Sequence, residues 1–344
     1  MEHEHQCCKS KSKPWYRNKA LIISAILALL SGLSYFVPLL EPFRKSLCMY
    51  FSRIWWAILL GLLLGGVIDY FVPREYISST LSKKSKRTIL YSVILGFFMS
   101  ACSHGILALS IELHKKGASN PAVVAFLLAS PWANLPLTIM LLGFFGFKAL
   151  YIITAAILIA ITTGFIYQFL EQKNLIETNS NTVTVKQGFS IKDDILRRIK
   201  GYKITRLSVL DGLKGVASGS VSLGDMVLWW ILIGIGLASL AGAYIPQAVF
   251  QRFMGPTFLG LLVTLVFATV LEVCSEGTAP LAFEIYRQTA AIGNSFVFLM
   301  AGVVTDYTEI GLLWHNVGRR VAIWLPIITV PQVVFFGVIA NIIF

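Results

Sequence analysis

Residues 101–118 read ACSHGILALSIELHKKGA, and residues 273–290 read VCSEGTAPLAFEIYRQTA. Slid by 172 positions, the first stretch falls on the second without a gap, and the register holds as far as Gly146 and Gly318. Of the 46 pairs so aligned, 11 are identical, among them Cys102/Cys274, Ser103/Ser275, Gly105/Gly277, Leu109/Leu281, Glu112/Glu284, Ala118/Ala290 and Phe126/Phe298. Upstream, Trp55-Trp56 answers Trp229-Trp230 and Pro73 answers Pro246, with a shift of one or two. The unit is therefore Trp55–Leu170, repeated as Trp229–Phe344. Self-similarity at a long fixed period organises the whole reading.

The repeated stretches sit in an apolar chain. Hydrophobic residues make up 56% of the 344 and charged residues 13%, against about 45–50% and 25% in soluble domains. The mean hydropathy is +0.73. A soluble fold of this size cannot hide so much apolar surface, so a soluble enzyme and a disordered chain are both excluded. Apolar runs of about 20 residues, the length that crosses a bilayer, occur at Ala20–Leu40, Tyr50–Val72, Ala149–Leu170, Met226–Val249 and Val321–Ile343. Four more are interrupted by polar residues: Thr88–Leu113, Pro121–Phe147, Phe258–Ile285 and Gly293–Trp314. The expected fold is all-α and polytopic, with two homologous repeats, broken or re-entrant helices and an inverted relation. The expected segments are a cytoplasmic tail (1–19), a signal-anchor helix (20–40), membrane repeat 1 (50–170), a cytoplasmic linker (171–225) and membrane repeat 2 (226–344). Ala20–Leu40 is too long for a cleaved signal region and lacks a small-residue cleavage site. Lys192 to Arg206 in the linker, with interleaved isoleucines, suggests an amphipathic surface helix.

The scarce charges are lopsided: 29 Lys+Arg against 17 Asp+Glu, net +12. The basic clusters are Lys9–Lys19, Arg74–Arg87, Lys115-Lys116, Lys173–Lys214 and Arg319-Arg320; the other loops hold Arg44-Lys45, Lys148, Arg252 and Arg287. The positive-inside rule puts the clusters in the cytoplasm, with the chain in the inner (plasma) membrane and its N-terminus cytoplasmic. This explains the charge without a nucleic-acid partner. It also requires Thr88–Leu113 to enter and return to one side, and Phe258–Ile285 to do the same, so that Lys115, the linker and Arg319 share a side.

Tandem repeats with broken segments at corresponding positions mark secondary transporters, because unwound backbone at bilayer depth must line a cavity or be buried in protein. The first pair of breaks offers Cys102, Ser103 and His104 opposite Cys274, Ser275 and Glu276, with Glu272 just upstream; the second offers Asn134 opposite Asp306, beside Glu309. These are the expected solute-binding residues, since polar groups inside apolar spans are expensive. A pseudo-twofold could gather Cys102, His104, Cys274 and Glu276 into a site for a soft metal, and thiolates also suit trivalent arsenic or antimony. The plainer reading of a buried Cys is a small hydrophobe, and of a buried His a satisfied interior group. Glu272, Glu276, Asp306 and Glu309 are the candidate proton carriers, because a carboxylate in an apolar span takes up a proton more readily. Glu112 and Glu284, near segment ends, are expected to face water. Gly61 and Gly65 read as helix packing, and Asp69 as an interfacial charge. His3, His5, Cys7 and Cys8 read as part of a disordered tail. Five cysteines make no disulfide framework here.

With these residues in view, the sequence resembles the ArsP/YraQ-type permeases. The resemblance lies in Cys102-Ser103-His104-Gly105, Lys116-Gly117-Ala118-Ser119 and Ala125–Pro131, and in Cys274-Ser275-Glu276-Gly277 and Gly302–Glu309 of the second half. It covers Trp55 to the C-terminus. It implies an inner-membrane efflux permease of trivalent organoarsenical type, with paired cysteines handling the metalloid. The first family motif commonly reads Cys-Ser-Cys-Gly; here its third residue is His104, and a frequent later Pro is Ala108. A Cys/His/Cys/Glu set shifts the expectation toward a divalent metal or another soft solute.

The leading expectation is a secondary permease exporting a soft metal or metalloid species, with the solute and the lipid bilayer as partners and no cofactor. No phosphate-binding Gly-rich loop occurs, so nucleotide hydrolysis is not expected of this chain. The alternatives are a channel or permease for an unrelated small organic solute, with structural cysteines, and an intramembrane enzyme. Cys102 and His104 point apart on a helix, and neither a Cys-x-x-Cys nor a His-Glu-x-x-His motif is present.

Overall fold

A computed structural model describes residues 19–71, 81, 86–99, 103–115, 117–179, 206–271 and 275–344. Among them no strand occurs, and fourteen α-helices follow one another. In the first half these are α1 (Lys19–Leu33), α2 (Glu41–Phe71), α3 (Lys86–Phe97), α4 (Ser103–Lys115), α5 (Asn120–Ala133), α6 (Leu135–Phe145) and α7 (Lys148–Gln172). The second half has α8 (Arg206–Tyr244), α9 (Gln247–Met254), α10 (Phe258–Val270), α11 (Ser275–Thr289), α12 (Ile292–Thr305), α13 (Tyr307–Asn316) and α14 (Arg319–Ile343). The repeat is written into the helix bounds: α3, α4, α5, α6 and α7 correspond to α10, α11, α12, α13 and α14, and α2 corresponds to α8.

Among the described residues six stretches are long and apolar enough to cross a bilayer: most of α2, α5 with α6, α7, the second half of α8, α12 with α13, and α14. Each repeat supplies three, and an odd number of crossings inverts the second copy relative to the first. Hydrogen bonds fix the two faces. On one, Asn179 donates through Nδ2 to the carbonyls of His114 (2.6 Å) and Ala118 (2.8 Å). There too Asn120 donates to the Glu177 carbonyl (2.6 Å), and the Glu177 carboxylate accepts from the amides of Arg320 (3.0 Å) and Val321 (3.3 Å). This is the linker face. The distal face joins Lys148 to the Tyr286 hydroxyl (2.8 Å), Gln247 to the Gln288 carbonyl (3.1 Å) and Asn294 to the Gly255 carbonyl (3.1 Å). Hence α5–α6 runs from linker face to distal face, whereas α12–α13 runs the other way. α7 and α14 are antiparallel, tied by Tyr167 to the Val321 carbonyl, Gln332 to Thr163, and Tyr151 to the Phe336 carbonyl.

The two interrupted segments are hairpins that re-enter. α3 starts near the linker face and reaches mid-depth, where Gly96 lies against Ala129 and Ser130 of α5; α4 returns to His114 on the same face. α10 descends from the distal face to Thr269, whose hydroxyl donates to that of Thr305 (2.9 Å) at the end of α12; α11 returns to Gln288. The expectation that the Lys115, linker and Arg319 loops share a side therefore matches the geometry. Between lipid-soluble helices there is little hydrophobic driving force, so close packing of small residues has to hold the bundle. Gly164 on α7 illustrates this, with Ile89 of α3 and Ala125 of α5 pressed onto its backbone.

Two expected boundaries move. α1 ends at Leu33, and a turn and a single 3-10 turn (Pro38–Leu40) follow; its 15 residues extend about 22 Å, short of the roughly 30 Å hydrocarbon core. α8 begins at Arg206, inside the stretch read as linker, because the Gly- and Ser-rich turns there let α2 approach: Gly66 faces Ser220 and the Val216 carbonyl. The expected amphipathic segment from Lys192, the tail residues His3, His5, Cys7 and Cys8, and the side chain of Asp69 lie outside the described residues.

The Glu177 clasp is testable. Partial burial disfavours its charge, but the amides of Arg320 and Val321 and the Arg320 guanidinium outweigh this and hold its carboxyl below the usual carboxylate range. A depressed folded-state pKa gives stability that is present above the unfolded value, about 4.3, and is lost as pH falls through the folded one. Glu177→Ala should lower thermal stability by about 1 kcal/mol at neutral pH, as loss of a helix cap does. The difference from wild type should vanish in acid, as read from melting curves against pH.

Candidate solute site

The second pair of breaks is held open by capping. Asn134 ends α5 and begins α6: its amide donates to the Ser130 carbonyl, while its Oδ1 accepts from the Leu137 amide (2.8 Å). Pro136 follows at the first turn of α6, where a missing N–H costs nothing. In the mate break, Asp306 Oδ1 accepts from the amides of Thr308 (2.7 Å) and Glu309 (3.2 Å) and from the Thr308 hydroxyl. So Asn134 and Asp306 do the same work at matching positions. Each satisfies amides that an interrupted helix leaves exposed at bilayer depth. Glu309, in the first turn of α13, is 1% exposed.

At the second hairpin, Ser275 and Glu276 open α11. The Ser275 hydroxyl donates to Glu276 Oε2 (3.0 Å), and Glu276 is 5% exposed. The next residue, Gly277, lies directly under Gly234 of α8, and a β-carbon on Gly234 would overlap its carbonyl oxygen. The glycine of the repeated Cys-Ser-x-Gly motif thus lets the hairpin seat on α8.

A small cavity of about 30 Å³ lies between α2 and α8. Asn134 from the first repeat and Glu276 from the second both line it. The rest of its wall is apolar, including Ile58, Leu137, Met140 and Val227. Two of the expected site residues, from different repeats, therefore share one space. Asp306 and Glu309 stand at the mate break and do not line it. Ser103 and His104 open α4, and their side chains lie outside the described set; Cys102, Glu272 and Cys274 lie outside the described residues altogether. Among the described residues no three His, Cys, Asp or Glu side chains converge as metal ligands.

Sequence reading missed one cluster, and one expectation is corrected. Glu284 does not face water: it is 1% exposed. Its carboxylate accepts from Arg287 Nε (2.8 Å) and Nη2 (2.7 Å), from Gln288 (2.6 Å) and from the buried Tyr50 hydroxyl of α2. Its mate Glu112 is exposed, as expected. The Glu-x-x-Arg spacing predicts the Arg287 pair, but nothing local points to Tyr50, 234 residues away.

A family model described as "Predicted permease" (ArsP_1) matches residues 45–342. Among curated proteins, the chain is 25% identical over 268 residues to UPF0718 protein YcgR of Bacillus subtilis, covering 76% of this chain and 84% of that one. It is 20% identical over 259 residues to the "Putative two-component membrane permease complex subunit" of Streptococcus mutans, covering 74% and 80%. UPF0718 protein YraQ of Escherichia coli matches over 138 residues at 22%, covering 38% and 40%. No solved structure matches. The chain belongs to the predicted-permease family, and six candidate spans among the described residues make it a multi-pass membrane protein of that family.

The capping role makes a prediction. Asp306→Asn, which keeps an acceptor, should leave thermal stability in detergent nearly unchanged, whereas Asp306→Ala should lose about 1–2 kcal/mol. Equal melting temperatures for the two variants would remove the cap from the account of the break.

Proposed function

We propose that this member of the permease family exports a soft metal or metalloid species, of trivalent-arsenical type, through a mid-depth site between its two repeats. The observation that carries the reading is the shared cavity: Asn134 of one repeat and Glu276 of the other line it. The hairpin that brings Glu276 carries Cys274 two residues earlier, and the mate hairpin carries Cys102 and His104. Thiolates are the natural ligands for soft species. The apolar wall fits the organic substituent of an organometalloid better than a bare hydrated ion.

In this reading Cys102, Ser103, His104, Asn134, Cys274, Ser275 and Glu276 contact solute, with Asp306 shaping the matching break. Cys102, His104, Cys274 and Glu276 are the soft-metal set. Proton coupling falls to Glu272, Glu276, Asp306 and Glu309, of which Glu276 alone lines the cavity. A plasma-membrane location with a cytoplasmic N-terminus follows from the basic loops gathered on the linker face. The second reading, an organic solute with structural cysteines, draws on the same apolar wall, whose one described sulfur is that of Met140.

A deletion strain scored against trivalent arsenicals, antimonials and soft divalent metals separates the two. Wild-type chain should restore tolerance to at least one of them. The Cys102→Ala/Cys274→Ala variant and Glu276→Gln should each lose that tolerance by about tenfold or more, at equal membrane abundance. Full complementation by the double cysteine variant would defeat the thiol site. A strain indifferent to every metal and metalloid tested would favour the organic solute.

A further inference from the structure

α9 lies across the molecule rather than through it. The chain bends by 103° between α9 and the descending α10. Hydrogen bonds hold both ends of α9 on the distal face: Gln247 donates to the Gln288 carbonyl, and Asn294 donates to the carbonyl of Gly255, the residue after the helix. The residues of α9 sort by side. Val249, Phe250, Phe253 and Met254 line a cavity beneath the helix, whereas Gln251 and Arg252 are exposed. A short helix in the plane of a membrane face, with one apolar side turned inward and a basic residue off that side, is an interfacial helix.

The cavity under α9 measures about 160 Å³. Ala241 of α8, Phe267 of α10, and Leu281 and Ile285 of α11 close its other sides. The one ionisable residue in the wall, Glu284, turns no oxygen toward it, because Tyr50, Arg287 and Gln288 occupy both. Water needs polar partners, so this space is dry, and apolar cavities of roughly 150 Å³ take up apolar ligands. A void left unfilled forfeits the dispersion contacts of its lining. Hydrocarbon can reach this one: Val249, Phe253 and Phe267 line the cavity and are also exposed, so it opens on the outer surface between α9 and α10. Phe267 stands about 14 Å along α10 from its first residue, within the depth of one leaflet of a roughly 30 Å core.

We propose that this cavity seats one acyl chain of a phospholipid from the distal leaflet, with Arg252 at its phosphate. The apolar lining selects a hydrocarbon chain, and Arg252 supplies the charge complement. Its guanidinium lies 5.6 Å from the centroid of the Phe253 ring, at the rim, and bonds no carboxylate among the described residues. A basic side chain held at headgroup level attracts phosphate. The seated chain fills the space between α8, α10 and α11, and so braces the second re-entrant hairpin against the long helix. The inference holds whatever solute crosses the protein; it needs only the membrane placement of the chain.

The test uses full-length protein in phosphatidylcholine nanodiscs doped with phosphatidylglycerol that carries a diazirine near the end of one acyl chain. After irradiation, adducts are mapped by peptide mass spectrometry. Phe250, Leu281 and Ile285 are buried and are reached from inside the cavity, whereas Leu259 and Val266 are exposed and report any lipid passing the surface. Wild type should give adducts on both groups. Ala241→Phe, which fills the cavity, should lower the inner adducts by about tenfold or more and leave the outer ones unchanged. Arg252→Gln should lower the inner ones about fivefold, as should replacing the probe by a diacylglycerol with the same labelled chain. Outer adducts alone in wild type would overturn the assignment. So would inner adducts that Ala241→Phe or Arg252→Gln leaves unchanged, and equal inner yields from the two probes would overturn the phosphate contact. If Ala241→Phe does not fold, Arg252→Gln, at an exposed position, decides. Inner adducts absent from a wild-type dimer and present in the diluted monomer would give the cavity to a second copy of the chain and overturn the lipid.

Discussion

A peptide group in hydrocarbon has no water to bond, and each unpaired amide or carbonyl costs several kcal/mol. Everything irregular in this molecule answers to that constraint. Helices that cross without interruption, α7 and α14, satisfy it internally. The breaks satisfy it with side chains: Asn134 and Asp306 accept the amides that begin α6 and α13. At the outer ends of the hairpins, Asn294 reaches back to the Gly255 carbonyl and Asn179 to those of His114 and Ala118. Polar residues are few in this chain, and many of those inside it are occupied with backbone. Two of them also face the cavity: Asn134, which caps α6, and Glu276, which accepts from the Ser275 hydroxyl.

Inversion of the repeats follows from the same economy of polar groups. Two copies of one unit, each crossing three times, place their interrupted segments at the same depth from opposite faces. The hairpins then meet the protein interior rather than lipid, which is the condition for unwound backbone to persist there. Small residues complete the arrangement, since only a glycine at Gly234 lets α8 ride on the hairpin backbone at Gly277.

The repeat, the breaks and the side on which the basic loops gather were legible because each leaves a local mark: an identical residue, a proline, a charge. Asn134 and Asp306 were legible as polar residues at matched breaks, though their capping geometry was not. Glu284 was misread because a Glu three residues before an Arg at a segment end looks interfacial, and the phenol that buries it comes from the other half of the chain. Residues 206–225, read as linker, form the first part of α8 ahead of its apolar span, where Gly and Ser in a soluble chain would signal a loop. In a bilayer protein the same residues signal helix contact, and Gly66 against Ser220 is that contact.

Divergence between the copies bears on direction. Mates that had stayed identical would give two end states of equal energy, and a path that favoured neither side. Here, in the register of the tryptophan pairs, Tyr50 and Arg53 on α2 correspond to Gly224 and Val227 on α8, and Arg287 to Lys115. The distal closure is a charged and aromatic network with four donors on one carboxylate. The positions of α8 that match Tyr50 and Arg53 carry neither a phenol nor a guanidinium. A buried charged network is strongly disrupted by losing one partner, whereas an apolar contact degrades gradually. The two ends of the pathway therefore differ in how sharply they close. The sharper one lies on the face away from the basic loops.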